Sequence, residues 1–441
     1  MEDVTVVDDS QENECEQIFE TTHSRTSDGR YIVRLPLQRN ATELGDSYTL
    51  AVRQFHRLER RMVADPVLRE KYITFMKEYA ALGHMELVQS PYDHIMRSQR
   101  NSAWCSTLRH LPALESHSTT QLVGPTLQDS LSSILLRFRR YRVAITADIE
   151  KMFRQVLIAP EHRDYQTNHL ERQAALARTA ILTSFYVDDF LTSCESATDA
   201  VELATNVNAI LSAGQFTLRK WNSNDSQVMK CLANESSLSS YIFHSGTASV
   251  LGLRWDALTD QLFFGVDLSQ TGEIPTKRRV LSEVARLFDP TGLLAPVVVT
   301  GKIFIQRLWS AGLSWDTPLP DDLCREWLKY RSLLPELNQV RIGGWIGMTP
   351  HVPTSLHGFC DASVHAYAAV IYTRTSCSND SVRFTLLTAR TKVAPLKAAT
   401  IPRLELSAVL LLAETLQNVR DAMGLADVPY YLWSDSAIVL C

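Results

Sequence analysis

The chain has 441 residues, of which 45% are hydrophobic and 21% charged, so it can form two to four globular domains. Its net charge of -5 excludes a strongly basic field over the whole protein, and any nucleic-acid groove has to be local. The eight cysteines include no CxxC pair, which argues against a zinc site or a disulfide framework. An acidic N-terminus and the lack of a long apolar run predict an intracellular protein, cytoplasmic or nuclear, with no membrane partner.

The first half of the chain has several regular patterns. Residues 1–27 are acidic and polar and predict a tether, and residues 29–37 alternate like a strand. Two amphipathic helices follow, and the second has Asp65 as its N-cap and Pro66 at its first position. Residues 90–124 have no clear period. A helix is then predicted at 134–138 and a strand at 141–149.

The second half mixes strands with helices. A strand, a tight turn and a second strand are predicted at 180–193, and a helix at 199–211. The remaining predictions are strands at 216–221, 250–255 and 261–266, helices at 278–313 and 323–334, a linker at 350–354 and an α/β segment at 356–441.

Three aspartates are the strongest candidates for catalytic and metal-binding residues. Asp188 and Asp189 are adjacent at the predicted turn, and Asp148 lies near the end of the preceding predicted strand. Carboxylates held together repel each other unless a divalent cation neutralises them. We therefore predict a site for Mg²⁺ or Mn²⁺ of the kind that two-metal phosphoryl transfer uses. An aspartate pair in a turn is by itself more often solvated, and only the pairing with Asp148 favours the metal site.

A basic run between the predicted helix and strand has the composition of a nucleic-acid contact, with charges for phosphates and rings for bases. Taken alone, such a run is more often a solvated helix end than a nucleic-acid contact. The predicted nucleic-acid-binding residues are Arg137, Arg139, Arg140 and Arg142, interleaved with Phe138 and Tyr141.

Several motifs along the chain together resemble the pol polyprotein of BEL/Pao long-terminal-repeat retrotransposons, from about residue 15 onward. They are LGDS at 44–47, LER at 58–60, GPTLQ at 124–128, DIEKMF at 148–153, YVDD at 186–189, RKWNSN at 219–224 and RLFDPTGLLAP at 286–296. The resemblance implies RNA-directed DNA polymerase and ribonuclease H activities. It also implies an RNA template, a DNA primer and RNA–DNA hybrid as partners, together with other pol and gag products.

The resemblance assigns roles to further residues. Phe153 would be the aromatic gate that excludes the 2′ hydroxyl of a ribonucleotide, and Lys220 would contact the incoming triphosphate. A second acid set, Asp361, Glu405 and Asp435, resembles the first three metal-binding and catalytic acids of ribonuclease H, in the order strand, helix, strand.

The implied architecture is a multidomain α+β or α/β chain. We expect an incomplete reverse-transcriptase-like palm and fingers at 28–255, a helical thumb or connection region of the Pao peptidase type at 256–350, and a C-terminally truncated ribonuclease H-like domain at 356–441. Only 40 positions separate Asp148 from Asp188, which predicts an internal deletion near 167–180.

This shortening, and a last residue at Cys441 before any fourth acid, predict a copy with impaired or lost activity. The alternative is a non-catalytic remnant that binds nucleic acid or a partner. An aspartic peptidase built on Asp289 ranks lowest, because Pro290 removes the backbone N–H that such a loop would use.

Overall fold

The computed structural model describes residues 17–34, 56, 58–63, 65–81, 128–150, 152, 156–158, 183–234, 247–268, 274–349, 352–376, 381–397 and 399–437. The chain divides into two compact units. The first contains Met1–Thr126 and Lys151–Glu171, and the second contains Leu127–Glu150 and Arg172–Cys441. Both acid sets lie in the second unit. No helix within the described ranges is long and apolar enough to cross a membrane.

The first unit contributes a small sheet and helices. Strand β1 (Ser24–Arg25) pairs antiparallel with β2 (Tyr31–Val33), which pairs parallel with β4 (Leu157–Ile158). Helix α1 (Pro66–Ala81) begins as predicted, because an Asp65 carboxylate oxygen accepts from the Leu68 N–H at 3.0 Å. Residues 58–63 are also helical, in agreement with the first predicted helix.

The first sheet of the second unit carries the aspartate doublet. Its order is β5-β6-β3-β7, formed by β3 (Val143–Ile149), β5 (Phe185–Tyr186), β6 (Asp189–Cys194) and β7 (Leu218–Ser223). Every residue of β3 is buried except Asp148, which is half-buried, so this central strand reads as a hydrophobic run with one carboxylate near its end. The helices of this region are α2 (Leu131–Phe138), α3 (Ala197–Ala213) and α4 (Ser226–Asn234).

A second sheet follows in the order β11-β10-β9-β8. It consists of β8 (Thr247–Val250), β9 (Leu253–Asp256), β10 (Gln261–Phe263) and β11 (Arg341–Gly343). The single strand predicted at 250–255 is wrong: Leu251 and Gly252 both have positive φ and form a hairpin turn there. Trp255 of this sheet packs edge-on against Phe138 of α2 at 5.2 Å. The first and second sheets of the second unit therefore share a core.

Three helices pack around a separate core that includes Val280, Leu308 and Trp327. They are α5 (Lys277–Ala285), α6 (Ala295–Ser310) and α7 (Asp321–Leu333), and a 3₁₀ helix, Leu334–Gln339, follows. The predicted break at Asp289 and Pro290 lies between α5 and α6.

The third sheet has the order β14-β13-β12-β15. Its strands are β12 (Thr354–Ala362), β13 (Ala366–Ser376), β14 (Val382–Val393) and β15 (Tyr430–Trp433), and α8 (Ile401–Met423) lies between β14 and β15 in the chain. The first three strands are antiparallel, whereas β12 and β15 run parallel. One face is covered by α8 through Ala408, Leu411 and Leu412.

Candidate functional site

Two groups of acids lie in the second unit, and we name them by position. The doublet site is Asp148, Asp188 and Asp189, and the sheet-end site is Asp361, Glu405 and Asp435.

The strand register brings the members of the doublet site together as the sequence predicted. Asp148 on β3 lies directly opposite Asp189 on β6, and Asp188 is in the turn that precedes β6. The Asp188 carbonyl accepts from the Ile149 N–H at 2.8 Å, which fixes this turn against the end of β3.

The backbone on both sides of Asp148 is strained. Val187, in the turn between β5 and β6, has a φ of 57°, and Lys220 on β7 has a φ of 56°. A β-branched residue rarely adopts this region. On β7 the pairing passes from Asn222 opposite Thr146 to Arg219 opposite Asp148, which leaves Lys220 and Trp221 facing one residue of β3. This is a β-bulge, a feature that re-aims side chains.

The bulge lets two consecutive basic side chains reach acids. The Arg219 guanidinium pairs with Glu150 at 2.5 Å, and the Lys220 ammonium donates to an Asp148 carboxylate oxygen. Hydrogen bonding to Asp148, and the charges of the three aspartates, raise the pKa of Lys220. Burial, together with the charges of Asp188 and Asp148, raises the pKa of Asp189 to about 6, against the opposing charge of Lys220.

The donor chemistry of the doublet site suits Mg²⁺ or Mn²⁺, because carboxylates are hard oxygen ligands. Nevertheless, no group of three or more His, Cys, Asp or Glu is arranged to hold a metal ion among the residues that the structure describes. The cation that faces Asp148 is the ammonium of Lys220. This contact differs from the triphosphate contact that the resemblance implied for Lys220. Phe153, the predicted sugar gate, lies outside the described residues.

The predicted basic run does not form a single surface. Arg139 is 1% exposed, and its guanidinium donates to the backbone carbonyls of Gly343, Gly344, Leu386 and Leu387 at 3.1–3.3 Å. Burial lowers its pKa to about 10, against the charge of Asp260. We therefore withdraw Arg139 from the predicted nucleic-acid contact: its donors join α2 to β11 and β14.

The other three arginines have mixed surroundings. Arg137 pairs with Asp129 at 2.6 Å and donates to the Ala422 carbonyl at the end of α8 at 3.4 Å, so it also has a structural role. The Arg140 guanidinium lies over the Tyr141 ring at 4.8 Å, and Arg142 is exposed. Arg140 and Arg142 stay predictions as nucleic-acid-binding residues.

The sheet-end site forms where two parallel strands end. The parallel pairing of β12 with β15 ends with Phe359 opposite Trp433, and Asp361 and Asp435 each lie two residues further along the chain. Both acids are exposed. Burial is the main cause that raises the pKa of the Cys360 thiol, and the charges of Asp361 and Asp435 raise it further.

The third member, Glu405, reaches the same end of the sheet from α8. The Ser436 hydroxyl donates to a Glu405 carboxylate oxygen at 2.6 Å, and Ser436 directly follows Asp435. Helix α8 can approach this closely because Gly358 lies beneath it: a β-carbon at Gly358 would be 2.8 Å from Cδ1 of Leu412. The sequence indicated the acids but not Ser436, since a buried serine beside an acid has no distinctive pattern.

Asp289 has a structural role in place of the catalytic one that the peptidase hypothesis required. Its carboxylate accepts from the Leu293 and Leu294 N–H groups at 2.8 and 2.7 Å and so holds the turn that leads into α6. The next residues dock on β14, where the Thr291 carbonyl accepts from the Ala389 N–H at 3.0 Å. Gly292 has a φ of 74°, and a β-carbon there would be 1.7 Å from the Ala389 carbonyl oxygen.

Residues 276–436 match the family model of the Pao retrotransposon-like RNaseH-like domain. The match begins at Thr276, the N-cap of α5, and therefore includes both the helical region and the third sheet. The sequence predicted a domain boundary between these two regions near residue 350. Its description names a ribonuclease H-like domain and no peptidase. The match covers less than half of the chain. A search of the curated proteins found no match.

Among solved structures, the chain is similar to three foamy viral protease–reverse transcriptase structures. One is the dRH form with double-stranded DNA, at 15% identity and a TM-score of 0.43, covering 73% of this chain and 55% of that chain. The complex with RNA/DNA hybrid is 14% identical with a TM-score of 0.42, and the match covers 72% of this chain and 42% of that chain. Another complex with double-stranded DNA is 15% identical with a TM-score of 0.38, and the match covers 73% of this chain and 64% of that chain. This chain therefore spans about half the length of those proteins.

Proposed function

We propose that this chain is a retrotransposon pol fragment whose sheet-end site hydrolyses the RNA strand of an RNA–DNA hybrid. The observation that carries the proposal is that Asp361 and Asp435 each lie two residues beyond the last parallel pair of β12 and β15, with Glu405 hydrogen-bonded to Ser436, the residue after Asp435. The family match over residues 276–436 supports the same assignment.

The residues of the sheet-end site have distinct tasks in this proposal. Bound divalent cations would supply an activated water and charge stabilisation at the scissile phosphate. Asp361 and Asp435 are exposed at one edge and offer carboxylate oxygens to such ions. The Ser436 hydroxyl holds the Glu405 carboxylate in place before substrate binds, so no entropy is lost in ordering that side chain during binding.

The ancestral activity of the doublet site would be RNA-directed DNA synthesis, and we propose that it is impaired here. The Lys220 ammonium already pairs with Asp148. Primer extension on an RNA template with Mg²⁺ tests this part. Robust synthesis that disappears in Asp188→Asn would contradict it.

Hydrolysis of a labelled RNA–DNA hybrid with Mg²⁺ or Mn²⁺ tests the main proposal. We expect cleavage that falls at least about 100-fold in Asp361→Asn, because that variant loses a metal-binding charge. Asp188→Asn is the matched control and should keep the wild-type rate. Cleavage that survives Asp361→Asn and Asp435→Asn would refute the assignment.

A second candidate is a non-catalytic remnant that binds RNA template, DNA primer, RNA–DNA hybrid, or other pol and gag products. The pairing of Asp148 with Lys220 favours it, because a carboxylate already neutralised by the chain is poorly prepared for catalysis. Salt-dependent binding to the hybrid without hydrolysis would support this candidate. Lack of binding at low salt would count against it.

A further inference from the structure

The doublet site contains a cation of its own, and the backbone is arranged to deliver it. In a regular strand, Arg219 and Lys220 would point to opposite faces of the sheet. The bulge on β7 removes this alternation, and both side chains reach acids at the end of β3. Lys220 accepts a left-handed backbone conformation to do so. Such strain persists only where surrounding structure enforces it.

The backbone of Lys220 is held in place by the residue that follows it. The next residue, Trp221, is fully buried and packs edge-on against Phe190 of β6 at 6.2 Å. Trp221 therefore anchors the bulge between β7 and the core. The Lys220 side chain itself is 65% exposed, whereas that of its partner Asp148 is 22% exposed. The anchor is rigid, but the ammonium can leave Asp148 without disturbing the core.

We propose that Lys220 is a tethered counter-cation that neutralises the doublet site in the metal-free chain and competes with a divalent cation for Asp148. The inference rests on the proposed function only in taking these acids to be descended from a metal site. A divalent cation has two charges and binds several oxygens, so it displaces the ammonium when its concentration is sufficient. Removing the ammonium then has two opposite effects: the acids bind metal more tightly, and the metal-free fold becomes less stable.

Calorimetric titration with Mn²⁺ tests the first effect. The full chain carrying Asp361→Asn, which weakens the sheet-end site, is compared with the same chain carrying Lys220→Met in addition. We expect Lys220→Met to bind Mn²⁺ about threefold to tenfold more tightly, as for the loss of a partly exposed competing ion pair. Lys230→Met is the matched control, since Lys230 is an exposed lysine of α4, and it should leave the affinity unchanged.

Thermal unfolding in EDTA tests the second effect. Lys220→Met should lower the midpoint, and adding Asp148→Asn to it should recover part of the loss, because one fewer unpaired carboxylate remains. Equal or weaker Mn²⁺ binding in Lys220→Met, no Mn²⁺ binding in either chain, or an unchanged midpoint would each overturn the inference. These failures are distinct from failure of the proposed function, which would appear as absent hybrid hydrolysis by the wild-type chain.

Discussion

The two acid sites are built from the same residue types but differ in how their charges are held. At the doublet site, Asp148 and Asp189 face each other on adjacent antiparallel strands, and the chain neutralises them with Lys220. At the sheet-end site, Asp361 lies one residue before the end of β12 and Asp435 two residues after the end of β15, and a neutral hydroxyl is bonded to Glu405.

The difference teaches that proximity of carboxylates does not by itself make a prepared metal site. A site neutralised from within is stable without metal but has to exchange one cation for another. At the sheet-end site, Asp361 and Asp435 are exposed, and the hydrogen bond that positions Glu405 adds no competing charge. This difference is why we propose the sheet-end site as the site of hydrolysis.

The largest expected effect tests whether the two sites share one fold. Arg139→Met removes the buried donor of four backbone carbonyls, two of them in the buried residues Gly344 and Leu387, and we expect a loss of about 3–5 kcal/mol of unfolding free energy. Urea denaturation measures this loss of stability. Probes on the first and third sheets of the second unit, which carry the two acid sites, should report one transition. Arg142→Met is the exposed control and should change stability by less than about 0.5 kcal/mol. A stable Arg139→Met protein would show that the two sites are supported separately.

The next effect concerns the sheet-end site alone. In Gly358→Val, new methyl groups would press on Leu412 and Leu432, each 2.8 Å from the position of a β-carbon. We expect a loss of about 1–3 kcal/mol from overpacking, together with slower hybrid hydrolysis as α8 moves Glu405 away. Chemical denaturation and initial rates measure the two effects. Wild-type hydrolysis in a folded Gly358→Val protein would indicate that the position of α8 does not matter.

A pH effect is specific to the doublet site. The pKa of Asp189 is about 6 in the fold against an ordinary 3.8, so the folded chain binds this proton more tightly than the unfolded chain. The resulting stabilisation is complete below about pH 4 and is lost as the pH rises through 6. After allowance for solvent screening, we expect about 1–2 kcal/mol between pH 4 and pH 7 in EDTA. The difference between wild type and Asp189→Asn measures it, and a difference independent of pH would contradict the account.

The smallest effect tests the hydroxyl at the sheet-end site. Ser436→Ala removes the hydrogen bond to Glu405, and we expect hybrid hydrolysis to fall about threefold to tenfold, on the order of 1 kcal/mol. Ser310→Ala is the control, because Ser310 is exposed on α6 and its hydroxyl donates to the Gln306 carbonyl of the same helix. A rate unchanged by Ser436→Ala would mean that Glu405 is positioned by other contacts.

Local pattern predicted much of the fold because its causes are local. The helix at 199–211 is present as α3, and the strand leading to Asp148 is β3, since hydrophobic periodicity and caps depend on neighbours in sequence. The bulge at Lys220 depends on the register between strands that are distant in sequence, which periodicity does not encode. Burial of Arg139 likewise depends on β11 and β14, more than 200 residues away.

The acids themselves were identifiable because an ordered set of carboxylates on strands and helices is distinctive. The sequence did not show which of these acids are paired with another side chain. Whether an aspartate is open or paired depends on side chains that tertiary structure brings near, such as Lys220 at one site and Ser436 at the other. The resemblance likewise pointed to a peptidase region, where the Asp289 carboxylate holds the turn before α6.

Mn²⁺ binding by the wild-type chain tests the central comparison most directly. In a calorimetric titration, we predict that the tightest Mn²⁺ equivalent disappears in Asp361→Asn and is retained in Asp148→Asn. The opposite result, with the tightest equivalent lost in Asp148→Asn and kept in Asp361→Asn, would contradict the assignment of the working site to the third sheet.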